Sequence, residues 1–250
     1  MLVHGYGTNL LAWSPLAARL QRDHTVVVFD RRGHGKSSSA RQYFVEDLRD
    51  DIAAIVEQVG LTRPVLVGHS VGSWDVLSYA ADSKDVAAVI CLDQAIATRD
   101  PVWPATYRSD GRSWETKLAD AAASLREYTD SELSRVLAES AASYGPAWRS
   151  YGPVVRRNIK RQPGGRFTLR PSPIDRVLIE YAWSLVADEP YDAIACPVVI
   201  ALAERNPGPI HDMFRRLVDR RALDSVVIDT DHDMHLERPA AVAALVRRFS

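Results

Sequence analysis

The stretch PVLVGHSVGSW, residues 64 to 74, decides the fold. Its first half is a short apolar, β-branched run, and its second half opens a helical pattern that continues to about Ala81. Gly68-His69-Ser70-Val71-Gly72 therefore sits where a strand turns into a helix. A Gly-x-Ser-x-Gly turn in that setting holds its serine on strained backbone at the carboxyl end of the strand, and the two glycines remove side chains that would collide there. Ser70 is the candidate nucleophile.

Outward from this turn, strand-like runs alternate with longer helical patterns: TVVVFD at 25 to 30, VAAVICLD at 86 to 93, CPVVIAL at 196 to 202 and SVVID at 225 to 229. Continuous apolar runs of this kind suit parallel strands covered on both faces. Between the first run and Pro64, a helix expected over about 43 to 59 places Val45, Leu48, Ile52, Ile55, Val56 and Val59 on one side. Glu46, Asp47, Arg49, Asp50 and Glu57 fall on the other, as in an amphipathic crossover. The repeated order predicts a doubly wound α/β class with a mostly parallel sheet flanked by helices. Residues 100 to 190 break the rhythm, being proline-rich and aromatic without a strand run, and are expected to form a helical cap between core segments 1–99 and 191–250. Trp103, Tyr107, Trp114, Tyr128, Tyr144, Trp148, Tyr151 and Trp183 are candidates for lining a pocket for a flat apolar ligand. With Trp74, which follows the turn, the substrate-binding candidates are Trp103, Tyr128 and Trp148.

Composition narrows the function classes. A chain of 250 residues, 46% hydrophobic and 25% charged, has enough apolar content to bury a substantial core. Thirty-one basic and 32 acidic side chains leave a net charge of −1, and the cations are scattered, so no nucleic-acid footprint is present. There is neither a cationic leader nor a run of 18 apolar residues, which predicts a cytoplasmic protein without a membrane span. Cys91 and Cys196 lie in separate strand-like runs and are expected to be free thiols. The composition carries no indication of oligomeric state.

Two further segments fall where serine chemistry needs them. His4-Gly5-Tyr6-Gly7 follows a short apolar stub, and the backbone N–H groups of Tyr6 and Val71 are the expected oxyanion hole. His232 follows the last strand and is the expected base. His235 makes a His-x-x-His spacing with it, but no third ligand accompanies the pair, so no metal is expected.

HGYG at 4 to 7, FDRRGHGKS at 29 to 37, GHSVG at 68 to 72 and HDMHLERP at 232 to 239, in this order, resemble the α/β-hydrolase superfamily over nearly the whole chain. The resemblance implies an α/β-hydrolase fold with a cap, and it makes three departures informative. Members usually have two strands before the one leading into His-Gly, whereas only Met1, Leu2 and Val3 stand here, so a shortened central strand is expected. The loop that commonly carries the triad acid reads AERNPGP, with Asn206 in the slot; Asn cannot stabilise an imidazolium by charge, and Asn206→Ala is expected to be harmless. Asp93 stands where some members relocate the acid and is the preferred partner of His232, ahead of Glu204 and Asp231.

The relocated acid, Trp74 and the stretch DSELSRVLAESAASYGPAWRSYG at 130 to 152 together resemble the cofactor-free dioxygenases of 3-hydroxy-4-oxoquinaldine and 2-alkyl-3-hydroxy-4-quinolones. That resemblance implies that His232, held by Asp93, deprotonates a ring hydroxyl and that the anion reacts with O₂ and releases CO, with no metal or organic cofactor. It is the preferred expectation, since it accounts for Asn206, Asp93 and the cap together. Two alternatives stand beside it: a serine ester hydrolase using Ser70, His232 and Asp93, and a ligand-binding protein that keeps the constellation but turns over slowly. A small apolar aromatic substrate is expected in the first case.

Overall fold

A computed structural model describes residues 1–104 and 111–250. Five parallel strands form the central sheet: β1 (Leu2–Val3), β2 (Val65–His69), β3 (Ala88–Leu92), β6 (Val198–Ala203) and β7 (Asp224–Ile228), adjacent in that order. Side-chain alternation divides the core into two layers. Val89 and Cys91 of β3 and Val198, Ile200 and Leu202 of β6 face α2 (Val45–Val59), α3 (Gly72–Asp82) and α8 (Pro209–Arg221). Ile90, Leu92, Val199, Ala201 and Ala203 face α1 (Ser14–Leu20) and α10 (Pro239–Val246). Helices on both faces of a parallel sheet make this a doubly wound α/β fold.

The amphipathic crossover forms as α2, with Leu48 and Ile52 buried, the Asp47 carboxylate accepting from the Phe44 amide at 3.1 Å, and Gly60 closing the end at φ 67°. Val59, expected on the apolar side, is exposed in the last turn of α2.

Two expectations need correction. The run TVVVFD is not a strand; it meets β1 only at a Leu2–Val28 bridge, with the Leu2 amide donating to the Val27 carbonyl at 2.9 Å. Both residues of β1 pair with β2, but the run adds only this bridge on the other side, and Val26 to Phe29 are half-buried. Nor is the segment between β3 and β6 purely helical. Besides α4 (Trp114–Ala123), α5 (Asp130–Tyr144), α6 (Trp148–Arg157) and α7 (Pro173–Ser184), it contains an antiparallel hairpin, β4 (Ile159–Arg161) with β5 (Phe167–Leu169), turning at Gly164-Gly165. The short α9 (Met234–Glu237) separates the His232 loop from α10.

Buried polar contacts fasten this inserted segment to the core. Asn158 accepts from Asn9 Nδ2 at 2.9 Å and from the Gly35 amide at 3.0 Å, and donates to the Gly7 carbonyl at 2.8 Å. Arg157 pairs with Asp30 at 2.8 Å, and the Tyr43 hydroxyl donates to Asp175 at 2.5 Å. Tyr151, on α6, donates its hydroxyl to Asp233, next to His232. Both the Gly5–Gly7 loop and the His232 loop are thus held from the inserted side.

Candidate active site

The carboxyl ends of β1, β2, β3 and β6, with the loop after β7, converge on one cavity of about 380 Å³, lined among others by Tyr6, Ser70, Val71, Asp93, Asn206 and His232. Grooves of about 460 Å³ and 420 Å³ open elsewhere, but neither holds a serine beside a histidine and a buried carboxylate. Chemistry, not volume, picks out the site.

Ser70 leaves β2 at φ 50°, a left-handed conformation that costs a non-glycine residue about 1–3 kcal/mol and persists only where its surroundings impose it. Close packing imposes it here. A Cβ on Gly68 would stand 2.5 Å from the Gly72 carbonyl oxygen, and one on Gly72 would stand 2.4 Å from the Val3 carbonyl oxygen. Strand, turn and β1 therefore touch backbone to backbone.

His232 is oriented by Asp93. Its Nδ1–H donates to Asp93 Oδ2 at 2.7 Å, which leaves Nε2 available as the base nitrogen. Asp93 is buried and fully engaged: Oδ1 accepts from the Ala203 amide at 2.9 Å, and Oδ2 also accepts from Asn206 Nδ2 at 2.7 Å. Burial alone would raise the Asp93 pKa, but the His232 hydrogen bond and the two further donors outweigh it and hold the carboxyl below its ordinary value. Burial likewise would lower His232, and the hydrogen bond and charge of Asp93 reverse this, so its pKa is raised.

A set of neutral histidines supports this pair. His69 Nε2–H donates to the His232 carbonyl at 3.1 Å, and burial together with the nearby His232 pushes its pKa down to about 4. In the loop after β1, His4 Nδ1–H donates to the Gly5 carbonyl at 2.8 Å while its Nε2 accepts from the Arg31 amide at 2.9 Å. His34 Nε2 accepts from the Gly7 amide at 3.2 Å, which with Asn158 fixes both sides of the Gly7 peptide. His69, Asp233 and His235 bring ligand-type atoms within 4.8 Å of one another. His69 Nε2 donates to the His232 carbonyl, the His69 and His235 rings pack with centroids 4.3 Å apart, and His69 Nδ1 and both His235 ring nitrogens are buried without a hydrogen-bond partner among the described residues.

The aromatic candidates are placed differently from expectation. Trp74 and Trp103 are fully buried core residues, with ring centroids 5.1 Å apart. Tyr128 bridges Phe167 beside the hairpin, and Trp148 packs near Tyr144; neither lines the Ser70 cavity. Trp114 packs on Tyr181, and Tyr107 lies outside the described residues. Of the described members of that set only Trp183 lines the cavity, its ring centroid 5.2 Å from that of Tyr6. Gln94, Ile210, His211 and Phe214 line it too, without having been singled out in the sequence. Their signal was weak: Gln94 merely follows Asp93, and the other three follow the NPGP loop. Glu204 is exposed, and Asp231 pairs with Arg205 at 3.3 Å instead of His232.

A family model described as the alpha/beta hydrolase family matches residues 1–245. The 2-(acetamidomethylene)succinate hydrolase of Mesorhizobium japonicum is 34% identical over 95 residues, 37% of this chain and 34% of that protein, so the match spans about a third of the relative's length. Lipase LipV of Mycobacterium tuberculosis is 27% identical over 261 residues, covering 99% of this chain and 91% of the lipase. The crystal structure of E-2-(acetamidomethylene)succinate hydrolase superposes with a TM-score of 0.74 at 23% identity, over 99% of this chain and 89% of that one, a likeness of fold.

These comparisons overturn the dioxygenase expectation, because the named relatives are hydrolases and a lipase. The features that suggested oxygen chemistry are accounted for otherwise. Trp74 is core, Trp148 lies away from the cavity, and a relocated acid serves any reaction that needs an oriented histidine. Hydrolytic chemistry of this family calls for no cofactor. Among the described residues no helix is long and apolar enough to cross a membrane.

Proposed function

The chain belongs to the alpha/beta hydrolase family, and on that premise we propose that it is a serine hydrolase of esters or related acyl compounds, with Ser70 as nucleophile, His232 as base and Asp93 as the acid. The observation that carries this reading is the 2.7 Å bond from His232 Nδ1 to a buried carboxylate, beside a serine held at φ 50° in the same cavity. With Nδ1–H pointing at Asp93, Nε2 takes the Ser70 hydroxyl proton as Oγ attacks the acyl carbon. The Tyr6 and Val71 amides receive the oxyanion, each such donor lowering the barrier by about 3–4 kcal/mol. His232 then protonates the leaving alcohol, and water, deprotonated by the same nitrogen, releases the acid.

Tyr6, Trp183, Ile210 and Phe214 favour an apolar acyl or aromatic group of modest size in a cavity of about 380 Å³. A panel of p-nitrophenyl esters from acetate to octanoate tests the reading. The expected result is saturable hydrolysis that falls off for the longer chains and is lost in Ser70→Ala. Equal hydrolysis by wild type and Ser70→Ala would contradict it.

A further inference from the structure

Asn206 occupies the loop after β6 and reaches back across the sheet to Asp93, donating Nδ2–H to Oδ2 at 2.7 Å, the same oxygen that accepts from His232. We propose that Asn206 is a positioning residue of the triad, an amide donor that holds the Asp93 carboxylate in the orientation His232 requires. The proposal rests on the serine hydrolase reading.

Three features of the site support it. Asp93 stands at φ 52° on a short side chain, with Oδ1 anchored by the Ala203 amide, so the direction of Oδ2 depends on what holds that second oxygen. His232 cannot supply this hold alone, since it is half-exposed and changes charge during the reaction it is proposed to catalyse. Asn206 can, because it is neutral at every pH and its loop is stiffened by Pro207 and Pro209 on either side of Gly208. Residue chemistry is also constrained. An aspartate at 206 would place a second carboxylate within hydrogen-bond distance of Asp93, and two such groups share a proton instead of both staying ionised. An amide avoids this like-charge contact and satisfies an acceptor that is otherwise buried. The role, which acts through Asp93, runs against the expectation that Asn206 is dispensable.

The test measures the rate at which a fluorophosphonate probe labels Ser70, as a function of pH, in wild type, Asn206→Leu, Asn206→Gln and Asn206→Asp, with thermal unfolding recorded for each. This readout requires no knowledge of the natural substrate. Asn206→Leu, close in shape but without a donor, is expected to label about 10- to 100-fold more slowly with little change in melting temperature, the range for loss of one hydrogen bond to a charged group. Asn206→Gln, which keeps the amide, is expected to recover part of the rate. Asn206→Asp is expected to alter the pH profile relative to wild type, because two adjoining carboxyls share a proton and titrate as a pair. Wild-type rates and an unchanged profile in Asn206→Leu and Asn206→Asp overturn the positioning role alone. A rate loss that merely tracks a fall in melting temperature overturns it as well. Folded wild type that takes up no probe overturns the hydrolase reading on which the proposal stands.

Discussion

Ser70 and Asp93 leave neighbouring parallel strands through the same left-handed turn, at φ 50° and φ 52°. Each is tied to the next strand by its amide, Ser70 to the Leu92 carbonyl at 3.0 Å and Asp93 to the Ala201 carbonyl at 2.7 Å. The proposed nucleophile and the proposed acid are therefore presented by one device used twice, one strand apart. The spacing of the site is set by the sheet itself.

The Asp93–His232 bond predicts a pH dependence. His232 acts as a base only when neutral, and its pKa is raised above the ordinary 6.5, so labelling or turnover falls as pH drops through a value above 6.5. In Asp93→Asn the charge is gone and burial is opposed only by the weaker effect of Asp233, so the acid limb moves to lower pH while the maximal rate falls strongly. Stability carries the opposite sign: a raised folded-state pKa makes a contribution fully present below the unfolded value and lost as pH rises through the folded one. The advantage of wild type over His232→Gln in denaturant titrations accordingly shrinks with rising pH. An advantage that grows instead would sink the assignment of the Asp93 contact.

Gly72→Ala tests the close packing of the turn. The new Cβ would stand 2.4 Å from the Val3 carbonyl oxygen and 2.7 Å from that of His4, both backbone atoms. The expected outcome is a loss of about 1–3 kcal/mol in chemical denaturation, the usual cost of overpacking, together with loss of Ser70 labelling. Wild-type stability would mean that β1 moves freely away from the turn.

Arg31 and Asp75 form a two-bond pair at 2.6 Å and 3.1 Å, with each side chain 3% exposed. Removing one partner strands a buried charge, so Asp75→Ala is expected to cost about 3–5 kcal/mol, while the double change to Arg31→Met and Asp75→Leu costs much less. Urea titrations of the three proteins decide this, and additive losses would contradict it.

Much of this architecture is legible from residue pattern, and the failures have physical causes. The Ser70 turn, the apolar runs of β2, β3 and β6, and the α2 stripe announce themselves because one local rule governs each. The run 25–30 has strong β propensity yet meets β1 at a single bridge, because pairing is decided by partners distant in sequence and not by propensity. The hairpin was hidden because each strand is three residues long, with Lys160 and Arg161 on one of them. Trp74 and Trp103 looked like pocket residues because an aromatic side chain carries no mark of which way its backbone will turn it. The Asn206–Asp93 bond is illegible in the sequence for a related reason: it spans 113 residues, and only the folded sheet brings the two loops together.

The most direct test of the account is rapid-quench mass spectrometry of the protein mixed with a slowly deacylating ester. A transient mass increase equal to the acyl group, mapped to the peptide carrying Ser70 and missing in Ser70→Ala, is the predicted result. Ester turnover by folded wild type with no adduct on that serine at any time point, or with the adduct on another residue, would contradict it.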